Sequence, residues 1–191
     1  VTTIPDMIEA GTFLMAGALM GKITLNKVDP SHLSIVTQKL EQAGATLGIN
    51  DESITIEKCN ELQAVDITTD VHPGFPTDLQ AQWIALMSVA NGSSHITDTI
   101  YNDRFSHVPE LNRLGAQITL KKNRAFVSGV KTLKGAPVMS TDIRASASLV
   151  IAALIAKGRT DISRIYHIDR GYEKIEEKFK SLGAEISRES E

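Results

Sequence analysis

The residues of this chain best equipped for chemistry are aspartates and arginines set in loops just ahead of helices. In residues 72–82, two prolines and a glycine stiffen a loop that delivers Asp78 into the first turn of a helix. A carboxylate there is held as the anion by the helix dipole and the free amides, so Asp78 suits a cap, or an acceptor and base facing a ligand. Residues 140–148 repeat the arrangement, with Thr141 or Asp142 as the cap. Arg144 follows inside that first turn, where the dipole opposes a cation unless an anion sits beside it. A local conflict of this kind is a cost that a site tolerates. Arg104, in Tyr101-Asn102-Asp103-Arg104-Phe105-Ser106-His107, and Arg170, in Asp169-Arg170-Gly171, occupy matching loops ahead of helices. A guanidinium fork grips carboxylate or phosphate, and the plainer role for both is a surface ion pair with neighbouring aspartates.

Other chemistries find little support. His72, His107 and His167 stand apart without metal-ligand spacing and read as structural or surface groups, so no metal is expected. Cys59 lies in polar hairpin sequence with no His and Asp partners nearby, which argues against a nucleophile. With no P-loop, GxGxxG or CxxC motif, no cofactor is expected. A formal net charge of -3 over 191 residues gives no basic excess for nucleic acid or a membrane surface, so any anion must be met by local arginines. The longest apolar run, residues 149–156, is far short of the ~20 residues that a membrane span needs. A single cysteine and the lack of a basic-then-apolar leader point to a reducing cytoplasm. Val1 opens inside strand-like sequence, which suggests a fragment or a processed chain.

The elements that carry these loops recur. Gly-Ala occurs at Gly44-Ala45, Gly115-Ala116 and Gly183-Ala184, each after an amphipathic helical stretch that the glycine closes in a left-handed cap. Upstream in each copy a more apolar helix stops at Gly21, Gly92 and Gly158, which precede the Gly-Ala pairs by 23, 23 and 25 residues. A short β stretch follows each stop, and paired strands follow the first two Gly-Ala pairs, around Lys122-Asn123 in the second. The unit is β-α-β-α-β-β, with a buried upstream helix and a half-exposed downstream one. Three copies, at about 1–64, 65–134 and 135–191, sharing one core predict a single α/β (α+β) domain. The third copy ends at residues 184–187, a strand without its partner, which something outside this sequence must complete.

Four segments together resemble the UDP-N-acetylglucosamine 1-carboxyvinyltransferase family of enolpyruvyl transferases. They are residues 73–82, 104–111, 141–150 and 164–173, and the likeness runs in order over essentially the whole chain. The resemblance implies an inverse α/β barrel domain facing a second such domain across a cleft. It implies transfer of the enolpyruvyl group of phosphoenolpyruvate to the 3-hydroxyl of UDP-N-acetylglucosamine, the first committed step of peptidoglycan synthesis. On that basis Asp78 meets the sugar hydroxyl as base or orienting acceptor, and Ile100 lines the nucleotide-sugar site. Asp142 moves protons around the tetrahedral intermediate, with Arg144 beside it, Arg104 contacts substrate, and Arg170 binds the phosphoenolpyruvate end. Two departures matter: Met7 follows Ile4-Pro5-Asp6 where the family has arginine, and the lysine-asparagine pair and the cysteine or aspartate loop of the other domain are absent. The chain alone is therefore expected to be inactive. Competing readings are a non-catalytic nucleotide-sugar or phosphate module, a folding unit for the missing half, and an RNA phosphate cyclase, the last disfavoured by the acidic charge.

Overall fold

The computed structural model describes residues 3–189; Val1, expected to open inside a strand, lies outside them. The first copy contributes α1 (Met7–Met20), β1 (Ile23–Asn26), α2 (Ser34–Gln42), β2 (Thr46–Asn50) and β3 (Ser53–Glu57). The second contributes β4 (Ile67–Thr68), α3 (Gln80–Met87), β5 (Ser93–Thr97), α4 (Val108–Arg113), β6 (Gln117–Lys121) and β7 (Arg124–Ser128). The third contributes β8 (Pro137–Met139), α5 (Ile143–Ile155), β9 (Asp161–Ser163) and α6 (Ile175–Ser181). No helix among the described residues is long and apolar enough to cross a membrane.

Helices α1, α3 and α5 are apolar on nearly every side, and such helices are stable only when surrounded. They pack against one another at the centre, every residue of α3 being buried, and the strands lie around them. This is helices within and sheets without, the inverse arrangement that the resemblance implies. The strands form three separate sheets rather than one closed barrel among the described residues. One has the antiparallel order β1-β3-β2, and the second repeats that order as β5-β7-β6 with β4 added parallel to β5. The third contains only the parallel pair, β8 with β9. Side chains on β3 and β7 alternate about the sheet plane, so Ile54 and Ile56, then Ala125 and Val127, point into the core.

The Gly-Ala pairs act as the sequence predicts. Gly44, Gly115 and Gly183 take positive φ near 98°, 92° and 94°. In each case the amide of the following alanine then reaches back to the carbonyl of Leu40, Leu111 or Phe179, at 2.9, 3.1 and 3.0 Å. Of the upstream glycines, Gly21 stops its helix as expected, whereas Gly92 and Gly158 do not. Gly21 ends α1 in extended backbone, at φ 167, and α3 stops at Met87, five residues before Gly92. The amides of Val89 and Ala90 close tight turns, and that of Asn91 bonds to Leu62 of the preceding copy, drawing the chain out of the helix early. Lys157, ahead of Gly158, makes the same bond to Leu133, so Gly92 and Gly158 mark junctions between copies rather than helix caps.

Residues 184–189 form no strand, contrary to expectation. A strand exists through its partner, and β2 and β6 have theirs in β3 and β7; nothing after α6 among the described residues supplies one. The third copy closes on the first instead. Phe179 of α6 stacks on Phe13 of α1 at 4.6 Å, Lys178 reaches Glu9 at 2.5 Å, and the buried Tyr172 hydroxyl meets Thr12 Oγ1 at 2.8 Å.

Two predictions follow from the packing. A Cβ at Gly129 would fall 1.6 Å from the Ala90 carbonyl oxygen, which only backbone movement can relieve. Gly129→Ala therefore lowers unfolding free energy by about 3 kcal/mol or more in urea titration, against about 1 kcal/mol for Gly115→Ala, where only the left-handed backbone objects. His107 is buried, and burial pulls its pKa from 6.5 to about 4 despite the opposing charge of Asp142. The folded chain cannot take the proton that the unfolded chain accepts, so stability is full above pH 6.5 and falls as the pH drops towards 4. The loss approaches roughly 3 kcal/mol, and His107→Phe flattens that slope in unfolding curves at pH 7 and 4.5.

Candidate active site

Asp78 does not cap α3. It sits in a tight turn, Thr77–Leu79, that Pro76 leads into and that has no side-chain cap bond. Its Oδ1 instead accepts from Nη1 of Arg104 at 2.5 Å and from Nε of Arg144 at 2.9 Å. The anion that Arg144 required beside it is therefore Asp78, carried by the turn that leads into the neighbouring buried helix. Oδ2 has no hydrogen-bond partner among the described residues, and the Asp78 side chain keeps 35% of its surface exposed, which leaves this oxygen able to accept from a ligand.

Asp142 does cap α5, its Oδ1 accepting from the amides of Arg144 and Ala145 at 2.8 and 2.9 Å. Its Oδ2 accepts from the Ser106 hydroxyl at 2.7 Å. Burial raises both carboxyls, yet both are held below the usual carboxylate range. For Asp78 the hydrogen bonds and charges of Arg144 and then Arg104 outweigh burial; for Asp142 the Ala145 amide, the Ser106 hydroxyl and the Arg144 amide do so. Burial likewise lowers the Arg144 guanidinium, and the hydrogen bond and charge of Asp78 more than reverse this, so it stays cationic.

One loop, residues 98–107, brings the second arginine. Asp98 is fully buried and accepts from the hydroxyls of Thr69 and Thr77, at 2.8 and 2.7 Å, and from the amides of Ile100 and Tyr101, at 3.0 and 2.8 Å. That bouquet fixes the start of the loop, and buried Phe105, His107 and Val108 fix its end. Between them Arg104 lies over the Tyr101 ring at 4.6 Å, aimed at Asp78. Ile100 stands at the head of the same loop, 42% exposed.

The structure thus joins Asp78, Arg104 and Arg144 directly, with Asp142 on the same helix start as Arg144 and Ile100 on the same loop as Arg104. Arg170 is not bonded into this group: it is exposed at the end of the turn Ile165–Arg170 and makes no ion pair with the described residues. It remains at the same end of the molecule, because Gly171 lies against Ile143, a Cβ there falling 2.3 Å from Ile143 Cδ1. Sequence reading missed Asp98 and Ser106. An aspartate directly after a strand, bonding its own chain two residues on, is a recognisable turn signal for Asp98. No comparable signal distinguishes Ser106, whose partner is 36 residues away.

Comparison with known proteins agrees with this architecture. The family described as EPSP synthase (3-phosphoshikimate 1-carboxyvinyltransferase) matches residues 1–179. The UDP-N-acetylglucosamine 1-carboxyvinyltransferase of Pelodictyon phaeoclathratiforme is 56% identical over 185 residues, 96% of this chain and 44% of that protein. The protein of that name from Myxococcus xanthus is 54% identical over 187 residues, 97% of this chain and 44% of its own length. The crystal structure of the enolpyruvyl transferase NikO from Streptomyces tendae superposes with a TM-score of 0.89 at 29% identity, over 98% of this chain and 45% of that one. EPSP synthase from Acinetobacter baumannii, at 17% identity, covers 85% of this chain and 40% of its own with a TM-score of 0.66, and shares the fold alone. The chain spans somewhat less than half the length of the curated relatives it matches. A match that runs through all three copies and the loops between them makes this chain a member of the EPSP synthase (3-phosphoshikimate 1-carboxyvinyltransferase) family, with the enolpyruvyl transferase fold.

Proposed function

We propose that this chain, as one domain, forms half of an enolpyruvyl transferase that moves the enolpyruvyl group of phosphoenolpyruvate to the 3-hydroxyl of UDP-N-acetylglucosamine, releasing phosphate. A second domain, outside this sequence, faces it across a cleft and supplies the loop that protonates the enol carbon. The observation that carries the reading is the convergence of Arg104 and Arg144 on a single oxygen of Asp78, with the other oxygen open. The setting is the cytoplasm, and the product feeds cell-wall precursor synthesis.

In this reading Asp78 Oδ2 accepts the hydrogen of the sugar hydroxyl. Asp78 is a weak base while both guanidiniums hold it, so before phosphoenolpyruvate binds it orients the hydroxyl rather than removing its proton. A trianionic phosphoenolpyruvate gives the same guanidiniums a competing anion, and each one that turns to it removes a hydrogen bond that keeps Asp78 acidic. Basicity then rises where and when the hydroxyl proton must leave. Arg170, without an internal partner among the described residues, binds phosphoenolpyruvate directly, and Asp142 takes part in proton transfer around the tetrahedral intermediate. Ile100 gives the nucleotide sugar an apolar wall. Met7, following the Asp6 that caps α1, stands where the family resemblance implies an arginine, so a contact made there must come from elsewhere.

The chain alone gives no turnover in a phosphate-release assay, whereas a protein that also contains the second domain does. In that longer protein, Asp78→Asn lowers kcat by about 10²-fold or more while calorimetry still detects the nucleotide sugar. Turnover by the chain alone, or full activity in Asp78→Asn, overturns this assignment.

A further inference from the structure

Asp142 presents its two oxygens unequally. Oδ1 is committed to the amides of Arg144 and Ala145, which fixes the carboxylate to the start of α5. Among the described residues Oδ2 meets only hydroxyls: Ser106 donates at 2.7 Å, and Thr141 lies at 3.4 Å while donating to Ser106 at 3.0 Å. Ser106 is exposed, but Phe105 and His107 on either side of it are buried, so the backbone that aims its hydroxyl is set by its neighbours and not by Ser106 itself. It lies two residues from Arg104, so a single loop holds one aspartate through Arg104 and the other through Ser106.

We propose that Ser106 is a positioning residue for Asp142, fixing the orientation of Oδ2 and tying it, through the loop of residues 98–107, to the geometry of Asp78. The inference rests on the enolpyruvyl transfer reading for its catalytic consequence, but not for its geometric one. A carboxylate capped through one oxygen alone still rotates its other oxygen with the side chain, and a proton transfer requires that oxygen at a fixed place. The titratable and charged groups near Asp142 are His107, neutral through burial, and Arg144, whose guanidinium is turned to Asp78. Neither hydrogen-bonds Oδ2, which leaves Ser106 as its principal donor.

The test uses Ser106→Ala and Ser106→Thr in the longer protein that contains this chain, with two readouts. The first is the pH dependence of kcat and KM. Losing a donor to the charged form raises the Asp142 carboxyl, so in Ser106→Ala the acid limb moves up by about one pH unit and kcat falls about tenfold, with KM changed less than about twofold. Ser106→Thr, which keeps the hydroxyl, restores both. The second is a carbon-13 titration of the Asp142 carboxyl, which needs no turnover. If all variants are inactive but Ser106→Ala still shifts that titration upward and Ser106→Thr reverses it, the positioning stands and the transfer reading fails. A titration that Ser106→Ala leaves unmoved, or a kcat and pH profile unchanged in an active enzyme, overturns the proposal.

Discussion

The site depends on one interaction, two guanidiniums sharing a single carboxylate oxygen. Arg144 enters the start of a buried helix, where the dipole disfavours it, and the partly dried surroundings would push it further towards neutrality. Asp78 resolves both problems from the turn ahead of α3, at a distance of 2.9 Å, and in doing so locks the starts of α3 and α5 together. Arg104 adds a third element by reaching the same oxygen from the loop after β5. Because all three side chains stay partly exposed, the arrangement is closed enough to sharpen electrostatics and open enough for an anion to replace Asp78.

The repeat explains why such a cluster forms at one end of the molecule. Three buried helices packed side by side place their first turns together, each already rich in free amides and positive dipole. Asp6 and Asp142 answer that field as caps on α1 and α5. In the second copy a tight turn with no side-chain cap leads into α3, which frees Asp78 from capping. One substitution of role among the three helix starts thus turns a capping carboxylate into one that pairs with two arginines and keeps an oxygen open among the described residues.

Much of this was legible in the sequence. The Gly-Ala pairs marked the ends of the half-exposed helices because left-handed backbone and a small following residue are local requirements. The misplaced charge of Arg144 signalled a nearby anion for the same reason. Features that depend on distant partners were not legible. The place of Gly92 and Gly158 at junctions between copies comes from the bonds that Asn91 and Lys157 make to Leu62 and Leu133 in the preceding copy. The strand expected after Ala184 is missing because pairing, not propensity, makes a strand. Asp78 read equally well as a cap or a ligand acceptor until Arg104, 26 residues away, and Arg144, 66 residues away, were seen to meet on it.

Exchange of the guanidiniums from Asp78 to an incoming anion is the step on which the functional account turns. The most direct measurement is a carbon-13 titration of the Asp78 carboxyl in the longer protein, with and without phosphoenolpyruvate. The account predicts a midpoint below the usual carboxylate range in the free protein that moves upward when phosphoenolpyruvate is bound. A midpoint that stays where it was under saturating phosphoenolpyruvate would mean that Arg104 and Arg144 never leave Asp78, and would contradict the account.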